Sequence, residues 1–261
     1  MQRKRYYYLI KLQYLGFRYH GWQKQPDVNT VERMLTRTLN YVLGDVKFKV
    51  LASGRTDAKV SVNQTYIELF VDEVELDLET FFPVFNLNLP QDIRALDIVN
   101  TTADFNIIQH PKEKEYCYLF AHGGKSHPFS APLLMTNPLP LDIIMMKKAA
   151  KLFEGTHDFK HYTYKPNPET NTTSTINECE LISNTTYKAN FFPEKTYMLR
   201  VVGSGFKRHQ IRLMMGALLE LGEGKVDLYF IEQSLQAKEG FGITRIAPAS
   251  GLILQRVEFS I

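Results

Sequence analysis

The chain has 261 residues, 44% of them apolar and 23% charged, enough for one large core or two medium ones and ordinary for a soluble protein. Its 31 basic and 28 acidic side chains leave a net charge of +3, which argues against nucleic-acid binding driven by bulk charge. Only Cys117 and Cys179 are present, too few for a disulfide framework and without zinc-site spacing, and no apolar run reaches membrane-spanning length.

The basic opening Arg3-Lys4-Arg5 leads into Tyr6 to Tyr14, where apolar and polar residues alternate as in a half-buried strand rather than a leader peptide, so the reading is a cytoplasmic protein with no membrane attachment. The sequons at Asn171 and Asn184 carry no meaning in that compartment. A helix is predicted over Val31 to Leu43: Val31, Met34, Leu35, Leu39 and Val42 keep a helical period, Asn29 or Thr30 caps the start and Gly44 ends it. Strands follow near 46–51 and 65–71, a helix near 77–85 that stops before Pro90, and a strand over Ile93 to Val99.

The second half reads in the same order. Tyr116 to Ala121 is a strand and Leu141 to Phe153 a helix, Tyr164 to Ser174 is the longest polar loop, and strands are expected at Cys179 to Ile182 and Thr196 to Val202. His209 to Leu221 and Asp227 to Ala237 read as helices and Leu252 to Phe259 as a closing strand. The fold class is therefore α+β: two related β-α-β-β-α-β subdomains, 1–104 and 105–261, with antiparallel sheets side by side and a central basic cleft.

The segment with most chemical character is Ser53-Gly54-Arg55-Thr56-Asp57-Ala58, a carboxylate beside a guanidinium on a tight turn between two strands, with Gly54 expected to take backbone angles that a side chain resists. No glycine-rich phosphate loop, His/Cys metal spacing or Ser-His-Asp set competes with it. An aspartate so placed acts as nucleophile or base, and a neighbouring arginine orients it or contacts phosphate; taken alone, the same residues read as an Asx-type turn with a surface ion pair. The basic clusters at Lys112 with Lys114, and at Lys207-Arg208-His209 with Arg212 and Lys225, are each able to meet phosphate, and each taken singly reads as a solvated face.

Several blocks together decide between these readings. Tyr14 to Pro26 followed by Thr30-Val31, Gly54 to Ala58, Lys114-Glu115-Tyr116-Cys117-Tyr118, Gly155-Thr156-His157-Asp158-Phe159, Phe206 to Gly216 and Ala247 to Leu252 resemble, in order, the motifs of the TruA-type tRNA pseudouridine synthase family. The resemblance implies an isomerase that converts uridine to pseudouridine in tRNA, in the anticodon stem-loop, with no metal or cofactor. It implies Asp57 as the catalytic aspartate, Tyr116 stacked on the flipped base and taking part in proton transfer, and Arg212 pairing with Asp57. Leu252 would line the uracil pocket, Arg55 would hold the displaced nucleotide, and Lys207 and Arg208 would bind substrate. The target must leave its stack, which is easiest in a loop, so folded RNA is the implied partner. Trp22 either wedges against RNA or closes the first subdomain.

Departures from the family pattern are specific. Lys59-Val60-Ser61 stands where the bacterial form has Gly-Val-His; Ser61 resembles the eukaryotic-type branch, and Lys59 offers a phosphate contact of its own. Asp104 and Asn177 occupy positions where arginine is expected, which leaves open another tRNA site, another structured RNA, or a silent RNA-binding protein. The bacterial type is a homodimer and the eukaryotic type a monomer, and the sequence fits either.

Overall fold

The computed structural model describes residues 4–110 and 112–259, so that Arg3 of the basic opening lies outside the described residues. Among the described residues are five α-helices and ten β-strands, an α+β composition. They divide into two compact units, one from Met1–Pro111 with Leu254–Ile261, the other from Lys112–Ile253.

The first unit runs β1 (Arg5–Tyr14), α1 (Val31–Leu43), β2 (Phe48–Ala52), β3 (Ser61–Asp72), α2 (Leu78–Asn88) and β4 (Ile93–Thr101). β1 is antiparallel to β3 and to β4, and β2 is antiparallel to β3. Alternation sends Tyr8, Ile10 and Leu12 to one face of β1, opposite Leu69, Ile67 and Thr65, and all of these are buried. On α1, Val31, Leu35 and Leu39 recur every four residues and are buried likewise. The Thr30 hydroxyl caps this helix by accepting the Arg33 N–H, and the Gly44 N–H donates to the Asn40 carbonyl at the other end. α2 extends past the expected limit and through Pro83, with Phe81 and Phe85 stacked at 5.5 Å. From Leu254 onward β10 (Leu252–Phe259) belongs to this unit as a neighbour of β3.

The second unit contains β5 (Lys112–His122), β6 (Met135–Asn137), α3 (Ile143–Leu152), β7 (Gly155–Asp158), β8 (Thr173–Ser183), β9 (Tyr197–Gly203), α4 (Gln210–Gly222) and α5 (Leu228–Ser234). Strands β5, β9, β8 and β7 pair in that order, all antiparallel. β9 thus lies between β5 and the strand that precedes it, β8, as β3 lies between β1 and β2 in the first unit. The expectation of a purely antiparallel sheet needs one correction: β6 lies parallel to β5, from Phe120 opposite Met135 to His122 opposite Asn137. Three residues are too few to show a period of two. α5 ends at Ser234 rather than at Ala237, whose φ of 53° is incompatible with a helix.

Candidate active site

In the first unit Asp57 is half-buried on the loop between β2 and β3, with Arg55 and Lys59 exposed beside it. The Val60 N–H donates to the Asp57 carbonyl at 3.3 Å and tightens the turn. What fixes the loop is a third segment, residues 14–22. The Trp22 N–H donates to the Thr56 carbonyl at 3.1 Å, the Lys59 N–H to the Tyr19 carbonyl at 3.0 Å, and the Gly16 N–H to the buried Ser61 hydroxyl at 3.0 Å. Tyr14 and Thr56 share a hydroxyl hydrogen bond of 2.9 Å. Gly21 is required where it stands: its φ is +91°, and a Cβ there would lie 2.8 Å from the Thr56 carbonyl oxygen. The special backbone angle of the aspartate loop falls at Lys59, φ 67°, and not at Gly54, whose φ is not positive.

The 14–22 segment is itself anchored. The Asp92 carboxylate accepts from the Tyr19 hydroxyl at 2.6 Å and from the Arg18 guanidinium, and the Leu15 N–H donates to the Asp92 carbonyl at 2.9 Å. Burial raises the Asp92 carboxyl, but the Arg18 and Tyr19 hydrogen bonds outweigh it and hold the group below its ordinary range. Trp22 is 4% exposed with its ring 6.2 Å from that of Tyr14, so it closes the subdomain core.

In the second unit Tyr116 is half-buried on β5 opposite Val201, its ring held edge-on by Phe206 at 5.3 Å. Tyr118, two residues on, is fully buried; its hydroxyl donates to the Pro248 carbonyl at 2.6 Å and burial pushes its ionisation far up. The two tyrosines of the motif thus differ in kind, one reachable and one structural. Lys114 shares their face by alternation, and burial, helped by the charge of Lys112, pulls its ammonium down to about 8.

Every residue of α4 except Arg212 and Glu220 is buried. The Arg212 guanidinium Nε donates to the Ala247 carbonyl at 2.8 Å, while the Ala247 N–H donates to the Arg212 carbonyl at 3.0 Å. This tie is possible because Gly216 has no side chain: a Cβ there would sit 1.9 Å from the Arg245 carbonyl oxygen. Leu252, at the start of β10, is buried at 6% exposure. Lys207 is half-buried and Arg208 exposed, just ahead of α4. The Gly155-Thr156-His157-Asp158-Phe159 block forms β7 and puts Phe159 into the core, with the His157 ring bonded to the Glu154 carbonyl at 2.8 Å.

Residues 149–260 match the tRNA pseudouridine synthase family. The tRNA pseudouridine synthase A of Pseudothermotoga lettingae is 30% identical over 252 residues, covering 97% of this chain and 99% of the relative. This chain belongs to that family. The same-named protein of Listeria monocytogenes is 30% identical over 255 residues, 97% of this chain and 98% of its own length, and that of Clostridium acetobutylicum 28% identical over 250 residues, 96% and 98%. The chain is therefore a pseudouridine synthase, an isomerase.

The structure brings Arg55, Asp57 and Lys59 together on one loop, and Lys207, Arg208 and Arg212 around the start of one helix. Sequence reasoning missed how the loop is held: the bonds at Tyr14, Gly16, Tyr19 and Trp22, two of them between backbone atoms and two involving hydroxyls, each span more than thirty residues, and only the glycines at 16 and 21 hinted at a close approach. Asn177 donates to the Glu113 carboxylate at 3.3 Å, whereas Asp104 is exposed. Among the described residues, no group of three or more His, Cys, Asp or Glu is placed to hold a metal ion, and no helix is long and apolar enough to cross a membrane.

Proposed function

We propose that this pseudouridine synthase acts in the cytoplasm on tRNA, at uridines of the anticodon stem-loop, with Asp57 as its nucleophile. The reaction is an isomerisation: the bond from the sugar C1′ to N1 of uracil breaks, the base turns, C1′ joins C5, the proton leaves C5 and N1 takes one up. Asp57 attacks the target uridine. Tyr116 stacks on the flipped base and takes part in the proton transfer from C5, Arg212 supplies a positive charge that favours the ionised carboxylate, and Leu252 gives the uracil an apolar wall. Arg55, Lys59, Lys207 and Arg208 meet the RNA backbone.

The observation that carries this reading is the Asp57 loop itself. A half-exposed carboxylate is held on a turn by four bonds from a separate segment, more restraint than a surface turn needs for stability. The names of the full-length relatives support tRNA as substrate. A different tRNA position is the second reading, supported by Asn177 being engaged with Glu113 where a free cation is expected.

Pseudouridine mapping of RNA from cells with and without the gene, backed by purified protein on unmodified tRNA transcripts, tests both. Loss of signal at anticodon-arm uridines is the expected result; loss elsewhere selects the second reading, and no change in either assay overturns both.

A further inference from the structure

A second feature of the Lys112–Ile253 unit joins the long polar loop, which lies outside the family blocks, to the residues just ahead of α4. Tyr164 opens the long polar loop, and its N–H donates to the Arg208 carbonyl at 3.0 Å, tying that loop to the residues that start α4. Its ring stacks on the imidazole of His209, centroids 4.5 Å apart and planes 29° apart. Two cations stand over the same ring: the Arg208 guanidinium at 5.0 Å and the Lys165 ammonium at 5.3 Å from the centroid.

Three observations make this more than a surface cluster. Both Lys165 (φ 46°) and His209 (φ 58°) are non-glycine residues in the left-handed region, a conformation held only where the surroundings impose it, and these two flank the ring on its two chain segments. Arg208 and Lys165 are exposed, and among the described residues neither is paired with a carboxylate, so two like charges are gathered on one ring whose π-face only partly offsets their repulsion. Finally, α4 begins at His209 without a side-chain cap, and the positive end of its dipole adds to the same field. An anion from outside is the group that relieves this arrangement, and an RNA phosphodiester beside an aromatic ring is the form that matches it.

We propose that Tyr164, Lys165 and Arg208 form a preassembled contact for the RNA backbone, away from the target uridine, with Tyr164 as the positioning residue that aims the two cations. The inference rests on the RNA-modifying reading above. It adds Tyr164 and Lys165 to the substrate contacts and gives Arg208 a defined role: the site sets RNA affinity and not the rate of the chemical step.

The test measures affinity of the full chain for an unmodified tRNA transcript between 50 and 200 mM salt, together with KM and kcat. Lys165→Ala and Arg208→Ala are each expected to lower the slope of log affinity against log salt by about one, raising KM while kcat stays within about twofold. Tyr164→Phe keeps the ring and should match the wild type, whereas Tyr164→Ala should lose as much slope as both cation variants together. Because Lys165 is exposed, Lys165→Ala is expected to keep the wild-type thermal midpoint, so a folding defect in Tyr164→Ala leaves the test intact. Unchanged slopes in Lys165→Ala and Arg208→Ala, with wild-type turnover normal, overturn this proposal alone. A wild-type protein that neither binds nor isomerises the transcript overturns the functional reading as well.

Discussion

Asp57 stands on the loop between β2 and β3, outside either strand, whereas Arg212 is the third residue of a helix buried on nearly every side. The loop is set by individual hydrogen bonds from residues 14–22, several of them to backbone atoms. The helix is set by packing, and the polar contacts of Arg212 with Ala247 ride on a scaffold fixed already. A side chain on a loop therefore depends on remote single atoms, while one on a buried helix depends on volume. Damage in the first case should show in turnover before stability, and in the second case in stability first.

The sharpest probe of the loop is its carboxylate. Asp57→Asn keeps shape and the backbone bonds of the turn but removes the nucleophile, so pseudouridine formation should fall below detection while affinity for tRNA transcripts holds or improves, since a negative charge facing phosphate is gone. Retained turnover would sink the assignment of Asp57. Next come the two glycines that permit the close approaches. Gly216→Ala sets a methyl 1.9 Å from the Arg245 carbonyl oxygen, inside a packed helix face, and should lower stability by about 3 kcal/mol, read as a fall in thermal midpoint. Gly21→Ala adds strain at φ +91° and a 2.8 Å contact with the Thr56 oxygen, worth about 1–3 kcal/mol, but with a loss of kcat larger than the stability change explains. If Gly21→Ala instead loses stability with kcat intact in the folded fraction, the contrast between the two regions fails.

How much of this was legible in the sequence follows from the same contrast. Periodicity marked Val31–Leu43 to the residue, because a helix with one apolar stripe, a threonine cap and a terminal glycine writes its limits locally. Most of the longer strands were legible along the chain by their apolar runs, though not their order in the sheet, and the family blocks pointed to Asp57, Tyr116 and Arg212. Contacts between distant segments leave no local pattern, so the bonds from Trp22 to Thr56 and from Tyr19 to Lys59 could not be read. Nor could the left-handed turn at Lys59, since Gly54 looked the better candidate and proved unnecessary for it. The strand β6 was lost for want of length, and Tyr164 looked like any residue at the edge of a polar loop until its ring was seen against His209 and Arg208.

A finer probe of the loop is Tyr14→Phe, which removes the hydroxyl partner of Thr56 and leaves the buried ring in place. The expected loss is about 1 kcal/mol, the ordinary net worth of one hydrogen bond, measured by denaturant titration. Turnover should fall alongside it, because Thr56 immediately precedes Asp57. A fall in stability with unchanged kcat would show that the remaining backbone bonds already fix the carboxylate.

The smallest expected effect belongs to Lys114 on β5, which turns to the same face as Tyr116. Burial and the Lys112 charge bring its ammonium down to about 8 from an ordinary 10.5. Below pH 8 the group is protonated in both folded and unfolded chains, and the folded state carries the full penalty of a desolvated charge. Between about 8 and 10.5 the folded chain has released the proton and the unfolded chain still holds it, so stability rises with pH through that window. Lys114→Met removes both the penalty and the rise: the variant should be the more stable protein at pH 7 and show a flatter profile from 8 to 10.5 in chemical denaturation. An unchanged slope would mean that the lysine is solvated after all. If the variant is more stable and also binds tRNA transcripts less tightly, the charge is held beside Tyr116 at the expense of stability for the sake of the RNA, which places Lys114 with the loop residues, whose value is read in function, rather than with the helix.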